Sequence, residues 1–114
     1  MAGEPPKLPD RCVPCEGGVP PLGRGAALDR LTHAPGWDLD YPFLKREFAF
    51  QDFAAALSFV NRVGALAEAE GHHPDIHLTE YKHVELVLFT HAIDGLSDND
   101  FVLARKINAL PLQG

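Results

Sequence analysis

The sequence predicts an α+β fold: a four-stranded antiparallel sheet with helices packed on one face, in the order α-β-β-α-β-β-α. Three observations carry that prediction. Between about residues 52 and 70, apolar side chains recur every three or four positions, the repeat of an amphipathic helix. On both sides of that helix the apolar spacing drops to two, as in Val84, Leu86 and Leu88, which is the repeat of a strand with one buried face. Turn residues then divide the strands into two adjacent pairs, and strands joined by short turns pair antiparallel.

Taken in order, residues 1–20 hold prolines at 5, 6, 9, 14 and 20 with Gly17 and Gly18, which predicts an extended, partly mobile leader rather than a packed element. A single domain over residues 21–114 follows, a length that buries one core. Pro21 suits the first turn of a helix running to about Ala34, with Leu22, Leu28 and Leu31 on its buried side and Pro35-Gly36 as its stop. Trp37, Leu39 and Tyr41 alternate with aspartates as a half-buried strand. Pro42 marks a turn into a second strand over 44–50, carrying Leu44, Phe48 and Phe50. The long helix places Phe53, Leu57, Val60, Val63, Leu66 and Ala67 in one stripe and closes at Gly71. Residues 75–80 and 83–90 form the second hairpin. Ser97 and Asp100 have the spacing of a capping box that opens a last helix, buried through Phe101, Ala104, Ile107 and Leu110 and ended by Pro111.

Composition narrows the function. A net charge of −6 argues against direct nucleic-acid binding, which needs a basic surface to displace counterions, and against an acidic membrane. No apolar run has the length of a transmembrane helix, and MAGEPPKLPD lacks the apolar core of a secretory signal, so a cytoplasmic protein is expected. Cys12 and Cys15 make a CxxC, but no second cysteine pair exists to complete a four-ligand zinc site, and a structural or idle role is the plainer reading.

Histidines are distributed unevenly: five of six fall in EGHHPDIHLTEYKHVELVLFTH, residues 70–91. A hairpin turn centred between residues 81 and 82 would set His91 opposite His72 or His73, gathering three imidazoles at the strand ends beside the close of the long helix. Glu68, one helical turn before His72, reaches the same mouth, as does Asp100 from the start of the last helix. His77 and His83 lie further along the hairpin as sheet-face residues, and His33 ends the first helix. His73 and His77 have HxxxH spacing, but Pro74 excludes a helix between them. Metal binding, acid/base catalysis and a merely structural cluster all stay open on these local grounds.

The constellation Glu68-x3-His72-His73-Pro74-x6-Tyr81-x9-His91-x8-Asp100 resembles the signature of the pterin-4a-carbinolamine dehydratases. Gly36-Trp37, REFAFQDFAAALSFV and GLSDNDF look like that family too, and the resemblance covers roughly residues 22–110. The leader CVPCEGG and the Pro-to-Tyr spacing look more like its plant and protist branch. Resemblance implies the same sheet-and-helix fold and a hydro-lyase that dehydrates 4a-hydroxytetrahydrobiopterin to quinonoid dihydrobiopterin in pterin recycling, with no metal and no cofactor. By position, His72, His73 and His91 match the family's active-site histidines, Glu68 and Asp100 its supporting carboxylates, and Thr90 lies in its pterin-binding region. Gly71 departs from animal members, which carry an acidic residue there. The implied partners are a small-molecule pterin and further copies of the chain, as a homodimer or homotetramer. The rival reading is a non-enzymatic interaction or coactivator module, or an enzyme acting on another pterin.

Overall fold

The computed structural model describes residues 7–13 and 19–112. Helix α1 (Arg24–Arg30) leads through a 3₁₀ turn (Leu31–His33) into strand β1 (Asp38–Asp40) and strand β2 (Phe43–Ala49). Helix α2 (Phe53–Glu70), strands β3 (Asp75–Thr79) and β4 (His83–Leu88), a second 3₁₀ turn (His91–Ile93) and helix α3 (Asp98–Asn108) follow. All four strands pair antiparallel in the order β1-β2-β4-β3, so β2 and β4 are central and β1 and β3 are edges.

Sheet alternation sorts the side chains. Leu44 and Phe48 of β2 and Val84, Leu86 and Leu88 of β4 are buried with Phe59 and Val63 of α2 and Phe101, Ala104 and Ile107 of α3 in one core. Burying each of the Leu, Val, Ile and Phe side chains contributes about 1.5–3 kcal/mol, so these residues hold the helices to this face. The other face carries Lys45, Glu47, Glu85, His77 and His83 beside Phe43 and Phe89, whose rings lie 5.0 Å apart.

Both long helices have the ends their sequences encode. The Asp52 carboxylate accepts the Ala55 N–H at 2.8 Å to cap α2, and Gly71 leaves α2 with φ 67°. At α3 the Asp100 carboxylate reaches back to the Ser97 N–H at 3.0 Å, the reach-back half of the expected capping box.

Four expectations need correction. The first helix starts at Arg24, not Pro21, because Leu22 donates its N–H to the Leu96 carbonyl instead; Leu28 is 51% exposed, and Ala27 takes the buried position. On α2 the buried stripe is Ala56, Phe59, Val63 and Ala67, which leaves Phe53 and Leu57 on the open side of the helix. Alanines are small enough to let α2 approach the sheet closely, so the phase set by the largest side chains is misleading. The second hairpin turns about Tyr81 itself, with Glu80 and Tyr81 both in the left-handed region, and β4 ends at Leu88. Finally, the leader is not loose over residues 7–13. Leu8 joins the core and the Pro9 carbonyl accepts from Arg105 at 2.9 Å. Cys15 and residues 14–18 lie outside the described residues.

Candidate active site

The three histidines meet where α2, β4 and α3 end or begin. Gly71 turns the chain out of α2 so that His72 and His73 follow at once, and Pro74 prevents the helix from continuing through them. Beyond β4, Thr90 bridges to Gly95 through paired backbone hydrogen bonds, and that small loop presents His91. A cleft of about 240 Å³ results, lined by His72, His73 and His91 together with Val13, Gly71, Phe89, Thr90, Ala92 and Asn99. The gathering expected from the hairpin therefore occurs, though His91 arrives on the 3₁₀ turn after the strand rather than in register opposite the pair.

Asp100 organises the deep side of the cleft. Its carboxylate is fully buried, and its Oδ1 lies 2.6 Å from His72 Nε2. Oδ2 accepts from the Thr90 hydroxyl at 2.7 Å and from the Ser97 N–H at 3.0 Å. An ionised carboxylate can only accept, so in that form of Asp100 Oδ1 takes the Nε2–H of His72 and Nδ1 is the ring nitrogen left to exchange a proton. Ser97 Oγ stands 2.8 Å from Thr90 Oγ1 and continues the network.

Glu68 and His73 repeat the pairing near solvent, with Nε2 and Oε2 2.7 Å apart and side chains 62% and 78% exposed for the histidine and the glutamate. His91 differs from both. Among the described residues no carboxylate reaches it, and its ring stands edge-on to Phe89 at 5.0 Å. Two imidazoles are thus oriented by carboxylates and the third by an aromatic ring. His77 and His83 stand on the open sheet face and His33 closes the first 3₁₀ turn; none lines the cleft. Among the described residues, no group of three or more His, Cys, Asp and Glu side chains is arranged to hold a metal ion.

A larger hollow of about 570 Å³ lies at the other end of α2, but among the described residues Asp52 is the only ionisable one lining it, that carboxylate caps the helix, and no acid/base pair is present there.

Sequence reasoning missed the leader's part in this region. The Cys12 N–H donates to Glu70 Oε1 at 2.9 Å, while Lys106 donates to Glu70 Oε2 at 2.7 Å. Those two bonds, the lysine's first, hold the Glu70 carboxyl below the usual carboxylate range. Burial, with the charge of Glu70 next, pushes the Cys12 thiol up to about 12, so it stays protonated at neutral pH and is a poor nucleophile or metal ligand. Val13 and Asn99 also line the cleft. Val13 gave no signal among prolines and glycines; Asn99 could have been suspected from its place beside Asp100 in the first turn of α3.

Fold and site together define a small α+β protein whose histidine–carboxylate cleft opens beyond the end of its central strand. The sequence matches the family described as pterin 4 alpha carbinolamine dehydratase over residues 20–110. The chain belongs to that family. A Rubrobacter xylanophilus protein named for this activity is 52% identical over 87% of this chain and 92% of its own. An Arabidopsis thaliana protein, named pterin-4-alpha-carbinolamine dehydratase 2, mitochondrial, is 42% identical over 90% of this chain and 58% of its own. The higher bacterial identity leaves the expected plant and protist placement without support. Among solved structures, the transcriptional coactivator/pterin dehydratase of Brucella melitensis superposes with a TM-score of 0.71 at 31% identity, covering 82% of this chain and 99% of that one. No helix among the described residues is long and apolar enough to cross a membrane.

Proposed function

We propose that this cleft dehydrates 4a-hydroxytetrahydrobiopterin to quinonoid dihydrobiopterin by histidine general acid/base catalysis, in pterin recycling in the cytoplasm. The observation that carries the reading is the pairing of His72 with buried Asp100 and of His73 with Glu68, with His91 across the same cleft. In the reaction the C4a–O bond breaks, the hydroxyl leaves as water with a delivered proton, and the N5 proton is removed as its electron pair forms the N5–C4a double bond. One imidazolium and one neutral imidazole supply both transfers, and both forms coexist near neutrality because the unperturbed imidazole pKa is about 6.5. The carboxylates fix which ring nitrogen exchanges the proton, and Thr90 ties its strand end to the same Asp100. No metal or cofactor takes part in this scheme.

Turnover of a 4a-hydroxypterin by the purified protein tests it. After subtraction of the uncatalysed rate at every pH, the enzymatic rate traces a bell across roughly pH 5 to 9. Exhaustive chelation leaves that rate unchanged. A corrected rate that is flat with pH, or activity that disappears on chelation and returns with metal, overturns the mechanism. The Brucella relative's name also carries a coactivator role, and a protein that binds pterin without turning it over would move this chain to that reading.

The protein is further proposed to be a homodimer or homotetramer. Edges β1 and β3 end the sheet, and Phe43, at 36% exposure, packs against the tilted ring of Phe89 on the open face. Sedimentation at micromolar concentration is expected to give a mass at least twice that of the chain, and a stable monomer contradicts it.

A further inference from the structure

One wall of the histidine cleft comes from the leader, and the way it is held is unusual. Asn99 is 3% exposed, and both ends of its side-chain amide are spent on the backbone of one residue. Its Oδ1 accepts the Val13 N–H at 2.8 Å, and its Nδ2 donates to the Val13 carbonyl at 2.5 Å. The neighbouring residue is fastened as well, through the Cys12 N–H to Glu70. Yet Val13 is 56% exposed, so core packing does not explain why its position is fixed so closely. Val13 lines the cleft beside the three histidines, and it also lines a second, mainly apolar hollow of about 300 Å³ that contains Leu22, Ile93 and Leu96. Val13 and Asn99 line both hollows.

We propose that Val13 is a substrate-contacting wall of the histidine cleft and that Asn99 is the positioning residue that clamps it there, an inference resting on the dehydratase reading of that cleft. An exposed isopropyl group fixed through its main chain offers a ligand a preformed apolar surface, and preformed surfaces bind without an ordering cost. The wall stands outside the acid/base set, so it acts on substrate binding rather than on proton transfer.

Kinetics of Val13→Ala, Asn99→Ala and the double variant test this. The clamp uses only the Val13 backbone, so Val13→Ala keeps it and keeps the wild-type unfolding midpoint. Its KM rises by roughly tenfold, the discrimination an apolar pocket typically shows over a missing methylene, with kcat within about twofold. Asn99→Ala releases the wall and raises KM at least as much. In that background Val13→Ala adds nothing, because the side chain no longer stands at the cleft. A wild-type KM in Val13→Ala, or effects that multiply in the double variant, overturns the proposal. If the wild-type protein shows no turnover, the dehydratase reading fails on its own. Fluorescence titration of the same variants with an oxidised pterin then judges the wall, and equal affinities in wild type and Val13→Ala overturn it.

Discussion

His72→Ala is expected to lower the background-corrected dehydration rate by roughly 10²–10⁴-fold, the usual contribution of one positioned acid or base. His73→Ala and His91→Ala should each cost at least about tenfold. The ranking follows from burial. His72 has a side chain 11% exposed against a fully buried carboxylate, so its orientation is fixed and water is a poor substitute for it. His73 and Glu68 stand largely in solvent, where water takes over part of their role. Among the described residues His91 has only the ring of Phe89 to orient it. His33→Ala should be nearly silent, because His33 lies outside the cleft. Wild-type rates in all three single variants would remove the catalytic assignment.

Asp100→Ala is expected to destabilise the protein by about 2–4 kcal/mol, combining a missing helix cap with buried donors left unpaired. The same carboxylate caps α3 through Ser97, takes the Thr90 hydroxyl and holds His72, at zero exposure. Asp100→Asn separates fold from function. Its amide oxygen keeps one acceptor for Thr90 and Ser97, so stability falls by less than in the alanine variant. Its NH₂ cannot accept from His72 Nε2–H, so the ring is driven to the other tautomer and the rate falls steeply. Urea unfolding measured beside the dehydration rate distinguishes the two variants. An alanine variant within about 0.5 kcal/mol of wild type would show that Asp100 carries no such double load.

Local patterns made most of this fold legible. Asp52 and Gly71 bound α2, and Ser97 with Asp100 opens α3, because caps join only a few consecutive residues. Period-two alternation located β2 and β4 for the same reason. What misled was anything set by distant parts of the chain. Leu28 reads as a core residue, but Leu22 is drawn out of the helix by Leu96 and the phase of α1 follows that tether. Phe53 and Leu57 outweigh Ala56 in any hydrophobic pattern, whereas the sheet accepts the alanine. The candidate site followed the same division. Its histidines and carboxylates were visible because residue type and spacing announce them. Val13 and Asn99 were not, since their pairing joins positions 86 residues apart.

That separation has a bearing on how the protein comes into being. The leader leaves the ribosome while Glu70, Asn99 and Lys106 are still to be made. The β3–β4 hairpin needs only nearby partners, but the leader, whose Cys12 can reach Glu70 on α2, waits for Asn99 on α3 before Val13 is clamped. Its tether is therefore the last to close, against the entropy cost of a loop of 86 residues. A nascent chain holds His72, His73 and His91 before it holds Asp100. The cleft is completed at both ends at once, because its floor at Asp100 and the clamp on its outer wall at Asn99 are neighbouring residues of α3.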